Sequence, residues 1–179
     1  MDTLKPIILL FPIIALILVS LLFAFSLKKV ANKKAFKRFI LMIMGFAFVL
    51  NLVWELAQMP LYDNTSFVIN HVTFCVLGSV ADAIMVLLLY FVFAVIFKNP
   101  LWIHTLKIQR IVIVILTGGI GAALSEMRHL ALGNWAYSDL MPLIPILHVG
   151  LSPVLQFMIL PIFIYILSLS WKIKKLSVY

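Results

Sequence analysis

Charge is scarce in this chain and acidic charge scarcest: 11% of its 179 residues are Asp, Glu, Lys or Arg, and only six of those are acidic. Set beside 65% hydrophobic residues, that scarcity excludes the make-up of a soluble core. The single cysteine, Cys75, excludes an intrachain disulfide and CxxC chemistry, and reads as a small core residue of a helix. HExxH and HxxxH pairs, internal repeats and a linker long enough to separate domains are all missing. Residues 1–179 therefore read as one integral membrane domain.

What is present is a succession of apolar runs of about 20 residues, each long enough to cross a ~30 Å hydrocarbon layer. They predict an all-α fold, a polytopic membrane helical bundle of five transmembrane helices: Pro6 to Leu27, Phe39 to Tyr62, Val72 to Phe97, Ile111 to Leu130 and Pro153 to Trp171. The first run is too long for the apolar region of a signal peptide. It ends in Ser26-Leu27-Lys28-Lys29, with no small-x-small cleavage site, so it reads as a membrane anchor. Before the last helix, Gly150-Leu151-Ser152-Pro153 interrupts the apolar stretch, because proline removes a backbone donor and disfavours helix in the residue before it. The residues from Pro153 onward already cover about 28 Å. The piece from Pro142 to Val149 is therefore expected as a re-entrant or interfacial segment, with His148 at the rim.

The net charge of +8 follows the membrane rather than a nucleic acid. Between the first two runs lie Lys28, Lys29, Lys33, Lys34, Lys37 and Arg38; between the third and fourth lie Lys98, Lys107 and Arg110; Lys172, Lys174 and Lys175 follow the fifth. Of the 14 basic residues only Lys5 and Arg128 fall on the other side, which predicts the N-terminus outside and the C-terminus in the cytoplasm, in a plasma or inner membrane. The clusters are expected to meet anionic headgroups. No nucleic-acid partner is implied.

Against this apolar background four polar stripes stand out: Asn51, Glu55, Gln58 and Tyr62; His71, Cys75, Gly78 and Asp82; Gly119, Ala122, Glu126 and His129; His148, Ser152 and Gln156. Steps of three and four put each stripe on one helix face. An ionisable group in an apolar span costs roughly 3 kcal/mol to insert and usually marks a site. Counting inward from the outer ends of their spans, Glu55 lies ~10 Å and Asp82 ~16 Å deep. Glu126 sits near the outer end of the fourth span. The inner half has no such ladder, and the first span, lacking ionisable residues, is expected as a lipid-facing wall.

Glu55, Asp82 and Glu126 are thus the candidate catalytic groups, expected to share one pocket opening toward the outer leaflet. Asn51, Trp54, Gln58, His71, Trp135, Tyr137, His148 and Gln156 are the candidate substrate-binding residues. A buried carboxyl that stays protonated is a usable acid, with a second carboxyl as opposing base. Other assignments compete at several positions. Glu126-x-x-His129 is half of a helical metal-pair pattern, or else a turn salt-bridged through Arg128. Trp135 and Tyr137 suit the interfacial belt. Gly118, Gly119 and Gly121 suit close helix packing. No metal and no cofactor is expected.

The stretch Asn51-Leu52-Val53-Trp54-Glu55 resembles the N-x-x-W-E stretch of small membrane-embedded terpene cyclases, which implies an acid role for Glu55. The resemblance covers these residues alone. Those cyclases have more spans and a second carboxylate late in the chain, whereas the last span here has none, so nothing beyond Glu55 is carried over. The residues and the resemblance together predict an integral membrane enzyme doing carboxylic acid–base chemistry on a membrane lipid or isoprenoid-like apolar small molecule, of the cyclase, isomerase or lyase type. The alternatives are a small-solute or proton-coupled transporter or binding subunit, and a metal-dependent membrane hydrolase or oxidase. A homo-oligomer or a membrane partner is left open.

Overall fold

Five apolar runs become five helices: α1 (Leu10–Leu27), α2 (Lys33–Gln58), α3 (Ile69–Ile96), α4 (Ile108–Ala131) and α5 (Leu151–Ser170). This is a computed structural model, describing residues 10–63, 65 and 67–170. Lys5, Lys172, Lys174, Lys175 and the expected span ends Pro6 and Trp171 lie outside the described residues. Each of the five helices is long and apolar enough to cross a membrane.

Local chemistry fixes the helix ends. Asn32 caps α2 by accepting a hydrogen bond from the Ala35 amide at 2.9 Å. The cap shortens the expected basic connection, because Lys33, Lys34, Lys37 and Arg38 fall inside the helix, where long unbranched side chains are tolerated. At its far end α2 runs into a 3-10 turn, Met59–Leu61, where Pro60 cannot continue the helical ladder. α4 ends at Ala131, and Gly133 just beyond its Leu132 cap takes a left-handed φ of +63° that glycine adopts without a Cβ clash. Gly133 N donates to Leu130 O and Asn134 N to His129 O, both at 3.0 Å, which is the hydrogen-bond pattern of a Schellman cap.

The loops between α1 and α2 and between α3 and α4 gather at one end of the bundle, here the basic end. The other two connections meet at the distal end, where Arg128 is the only Lys or Arg among the described residues. α2 packs on α3 and α5, α4 on α5, and α1 on α3. α1 buries only Ala15, Val19 and Ser26, so most of its surface is left for lipid. The α4–α5 contact is closest at two glycines. A Cβ on Gly118 would stand 2.1 Å from the Phe157 carbonyl oxygen, and one on Gly119 2.8 Å from Met158 Cγ. Only glycine lets the two backbones approach this far. Gly121, expected to do the same, faces open space.

Toward the basic end the core is aromatic. Phe36, Phe39, Tyr90, Phe91, Phe93, Trp102 and Tyr165 are at most 2% exposed. Their polar atoms are satisfied by backbone: Tyr90 donates to Pro100 O, Trp102 Nε1 to Tyr90 O at 3.1 Å, and Tyr165 to Val86 O at 2.7 Å. The buried side-chain amides and the buried carboxyl Glu126 gather in the opposite half, while the basic half buries the hydroxyls of Ser26 and Ser168. The segment from Pro142 to Val149 does not cross the bundle. It folds as turns over the distal end, closed by a bridge between Leu143 and Gly150 and by Ile144 N donating to Val149 O at 2.8 Å.

Candidate functional site

The stripes on α2, α3 and α5 meet in one hydrogen-bonded network. Gln156 of α5 is its hub: Nε2 donates to Asn51 Oδ1 on α2 at 2.8 Å and to Asp82 Oδ2 on α3 at 3.0 Å. Gln58 Nε2 donates to Glu55 Oε1 at 2.9 Å and to Gln156 Oε1 at 3.3 Å. Ser152 donates to Gln58 Oε1 at 2.8 Å and accepts from Trp54 Nε1 at 3.3 Å. Asn51 completes its own bonding through Ala47 O at 2.7 Å. Asn51, Gln58 and Gln156 are no more than 4% exposed, so a full set of partners is what makes their burial tolerable.

The two acids inside this network are linked through Gln58 and Gln156. Glu55 faces α3 at Gly78, where an added Cβ would lie 4.0 Å from its Oε2, and Asp82 stands one turn further along the same face of that helix. Cys75 is buried beside them, Sγ 4.0 Å from the Glu55 carbonyl oxygen, in the core position its sequence context predicts.

Glu126 forms a second acid site. It is 6% exposed, and Oε2 accepts from Trp135 Nε1 at 3.2 Å and from the Tyr137 hydroxyl. The Schellman cap at Gly133 turns the chain back so that both donors reach the helix it has just left. His129 stacks on Trp135 with ring centroids 4.2 Å apart and its Nδ1 lies 2.7 Å from Asn134 Nδ2. Arg128 does not pair with Glu126. Its guanidinium lies 4.2 Å from the Phe11 ring centroid, a cation–π contact with α1. Trp135 and Tyr137 therefore do more than sit at an interface, and the salt-bridged-turn reading of Glu126 gives way to a carboxyl held by an indole and a phenol. Burial pushes the Tyr137 phenol up, with the Glu126 hydrogen bond adding to it, so this donor keeps its proton.

Glu126 lies within charge–charge range of both Glu55 and Asp82. The partners of the three acids are amides, an indole and a phenol; among the described residues no cation is hydrogen-bonded to them. No three His, Cys, Asp or Glu side chains among the described residues gather as a metal-ligand set. His71 stands half-buried in the first turn of α3, and His148 is exposed in the α4–α5 connection at φ +53°.

Two members absent from the expected site set are Ser152 and Tyr62, although both lie on the predicted stripes. Tyr62 packs edge-on against Trp135 at 6.3 Å and tilted against Tyr137 at 5.6 Å. Its backbone bridges to Tyr137, while Ser138 N donates to Leu61 O and Asp63 N to Ala136 O at 3.0 and 2.9 Å. These bonds tie the end of α2 to the α4–α5 connection beside the acids. Spacing of seven from Glu55 and four from Gln58 was the signal for Tyr62; its neighbours from the other loop were not readable. A separate groove of about 320 Å³, walled by Ile115, Leu155, Met158, Ile159 and Phe163, is apolar and contains none of the acids.

Comparison with protein-family models, with curated proteins and with solved structures finds no match for this chain.

Proposed function

We propose that this five-span membrane protein is an enzyme of the lipid phase, in which the Glu55–Asp82 pair delivers a proton to an apolar substrate and Glu126 receives one. The observation that carries this reading is a network in the distal half in which buried Glu126 and half-buried Glu55 and Asp82 meet neutral hydrogen-bond donors, backed by a sealed aromatic core in the basic half. A conduit for ions or solutes needs groups that can hold them along its whole length, whereas here the carboxyls and side-chain amides of the interior end at the depth of Asp82 and Asn51, and the buried hydroxyl of Ser168 in the basic half is taken up by Ile164 O. A dead-ended acid site suits a substrate that enters from one leaflet, reacts and leaves the same way.

Each role follows from surroundings. Glu55 is the proton donor and Asp82 its neighbour in the network, and the amides of Gln58 and Gln156, bonded to Glu55 Oε1 and Asp82 Oδ2, leave the other carboxyl oxygens free. Glu126, held by two donors, is suited to stabilise or accept a proton as charge moves through the substrate. The proposed orientation, with the acid network toward the outer leaflet, is supported by basic charge: nine of the described Lys and Arg lie at the basic end and Arg128 alone at the distal end. The resemblance of the Asn51 to Glu55 stretch to membrane-embedded terpene cyclases points to an isoprenoid-like or lipid substrate.

The competing reading, a proton-coupled transporter, draws on the same acids. Mass spectrometry of ligand co-purified in mild detergent separates them. An isoprenoid or other lipid retained by the wild type supports the enzyme reading; a water-soluble solute in its place supports transport.

A further inference from the structure

The polar side chains between α2 and α5 form one continuous row that crosses from helix to helix. Trp54 Nε1 on α2 donates to Ser152 Oγ on α5 at 3.3 Å, and Ser152 donates back to Gln58 Oε1 on α2 at 2.8 Å. Gln58 Nε2 donates to Gln156 Oε1 at 3.3 Å, Gln156 Nε2 to Asn51 Oδ1 at 2.8 Å, and Asn51 Nδ2 ends the row on Ala47 O at 2.7 Å. Every member donates the same way, from Trp54 toward Ala47. A side-chain amide can present either end and a hydroxyl can turn, so no middle member dictates that direction. The two ends do, because an indole N–H only donates and a backbone carbonyl only accepts. With the row reversed, Asn51 Oδ1 would face Ala47 O, and Ser152 would receive N–H groups from both sides with its own proton aimed at neither.

Two branches leave the row, and its direction decides what they carry. Gln58 Nε2 also donates to Glu55 Oε1 at 2.9 Å, and Gln156 Nε2 to Asp82 Oδ2 at 3.0 Å. A neutral carboxyl has one oxygen that donates and one that accepts, and the oxygen taking an amide proton is the acceptor. The remaining oxygen of Glu55 is Oε2, which lies beside α3 at Gly78, 4.0 Å from where an added Cβ would stand.

We propose that Trp54 and Ser152 are positioning residues of the acid site: by fixing the direction of the row they keep Glu55 Oε1 an acceptor, so that the transferable proton stands on Oε2, the oxygen that faces Gly78. The inference deepens the acid–base reading above and rests on it. When Glu55 acts, the O–H bond at Oε2 breaks and the proton bonds to a substrate atom lying against Gly78. The electron pair stays on the carboxylate, whose Oε1 already holds an N–H of Gln58 to steady the new charge. Trp54 and Ser152 act through Gln58, to which their own bonds lead.

Infrared spectroscopy of the protein in detergent micelles, acidified until its carboxyls are protonated, tests this without substrate. Only six acidic residues contribute, and Glu55→Gln identifies the Glu55 carbonyl stretch by its loss. In the wild type that band is expected at the low wavenumber of a carbonyl accepting a hydrogen bond. Ser152→Ala frees Gln58 to turn its Oε1 toward Glu55; the Glu55 hydroxyl then donates to it, the carbonyl is left unbonded, and a second band at higher wavenumber is expected. Ser152→Thr keeps the hydroxyl and should restore the single band. Ser79→Ala, which removes a buried hydroxyl bonded to Cys75 O instead, should leave the band in place. A wild-type band already at the unbonded position, a band that stays single in Ser152→Ala, or an equal change in Ser79→Ala would each overturn the proposal. Should Ser152→Ala fail to fold, replacing the indole of Trp54 by benzothiophene keeps the ring shape and removes only the N–H; the second band must then form, and its absence overturns the proposal. Because the band is read without turnover, this test can fail while the enzyme reading stands, and the enzyme reading can fail while the band behaves as stated.

Discussion

Replacing Gln156 with Leu is the sharpest test of how the bundle is held at the site. Leucine fills a similar volume but makes none of the bonds that Gln156 makes to Asn51, Asp82 and Gln58. Interhelical hydrogen bonds in membrane proteins average ~0.6 kcal/mol each, while a buried polar group stripped of its partner costs about 1–3 kcal/mol. Gln58 keeps Glu55 and Ser152 as partners and Asn51 keeps Ala47, so their losses belong at the low end; Asp82 loses a donor to a carboxyl and belongs at the high end. The expected destabilisation is about 2–4 kcal/mol, lying between these two scales. Unfolding by titration of SDS into mild-detergent micelles, followed by circular dichroism, measures it. Leu155→Ala, one position along on the apolar groove, is the comparison that removes packing without touching the network. If Gln156→Leu is as stable as the wild type, or more so, the network is not what joins α2, α3 and α5, and the polar groups there exchange partners freely.

Two further outcomes follow from the architecture. Gly118→Ala puts a methyl group where 2.1 Å separates it from the Phe157 carbonyl oxygen, so α4 and α5 must part; a loss of about 1–3 kcal/mol in the same titration is expected, whereas Gly121→Ala, in open space, should leave stability within experimental scatter. In a Cys75→Ser background, single cysteines placed beside Lys33 and beside Asp139 should react with a membrane-impermeant thiol reagent in intact cells only at the Asp139 position; labelling at Lys33 instead would invert the topology and move the acid network to the inner leaflet.

The helices were legible because apolar runs of membrane length are separated by charged or proline-containing breaks, and only their ends shifted. α2 starts at Lys33 rather than Phe39 because Asn32 caps it, a local signal that outranks the hydropathy edge. The acid stripes were legible too, since Asn51, Glu55 and Gln58 occupy one face by spacing alone. What spacing cannot carry is the register between helices. That Gln156 of α5 reaches Asn51 and Asp82 at once depends on how far α4 and α5 slide at Gly118, which no single helix encodes. Trp135 and Tyr137 read as interfacial aromatics because a sequence does not show the Schellman turn at Gly133 sending them back onto Glu126. Arg128 read as a partner for Glu126 because the two are close on the helix, yet Phe11 of α1 takes its guanidinium.

The central claim, proton delivery from Glu55 to a substrate in the lipid phase, is tested most directly by isotope labelling. Wild type and Glu55→Gln are reconstituted into vesicles of host lipid extract in D2O buffer, and the extracted lipids are analysed by mass spectrometry. The substitution keeps the size of the side chain and can still bond to Gln58, but it has no proton to give. The account predicts a lipid product carrying carbon-bound deuterium from the wild type and at least a hundredfold less from a folded Glu55→Gln protein, the scale on which removing a general acid acts. Equal labelling from both proteins would contradict it.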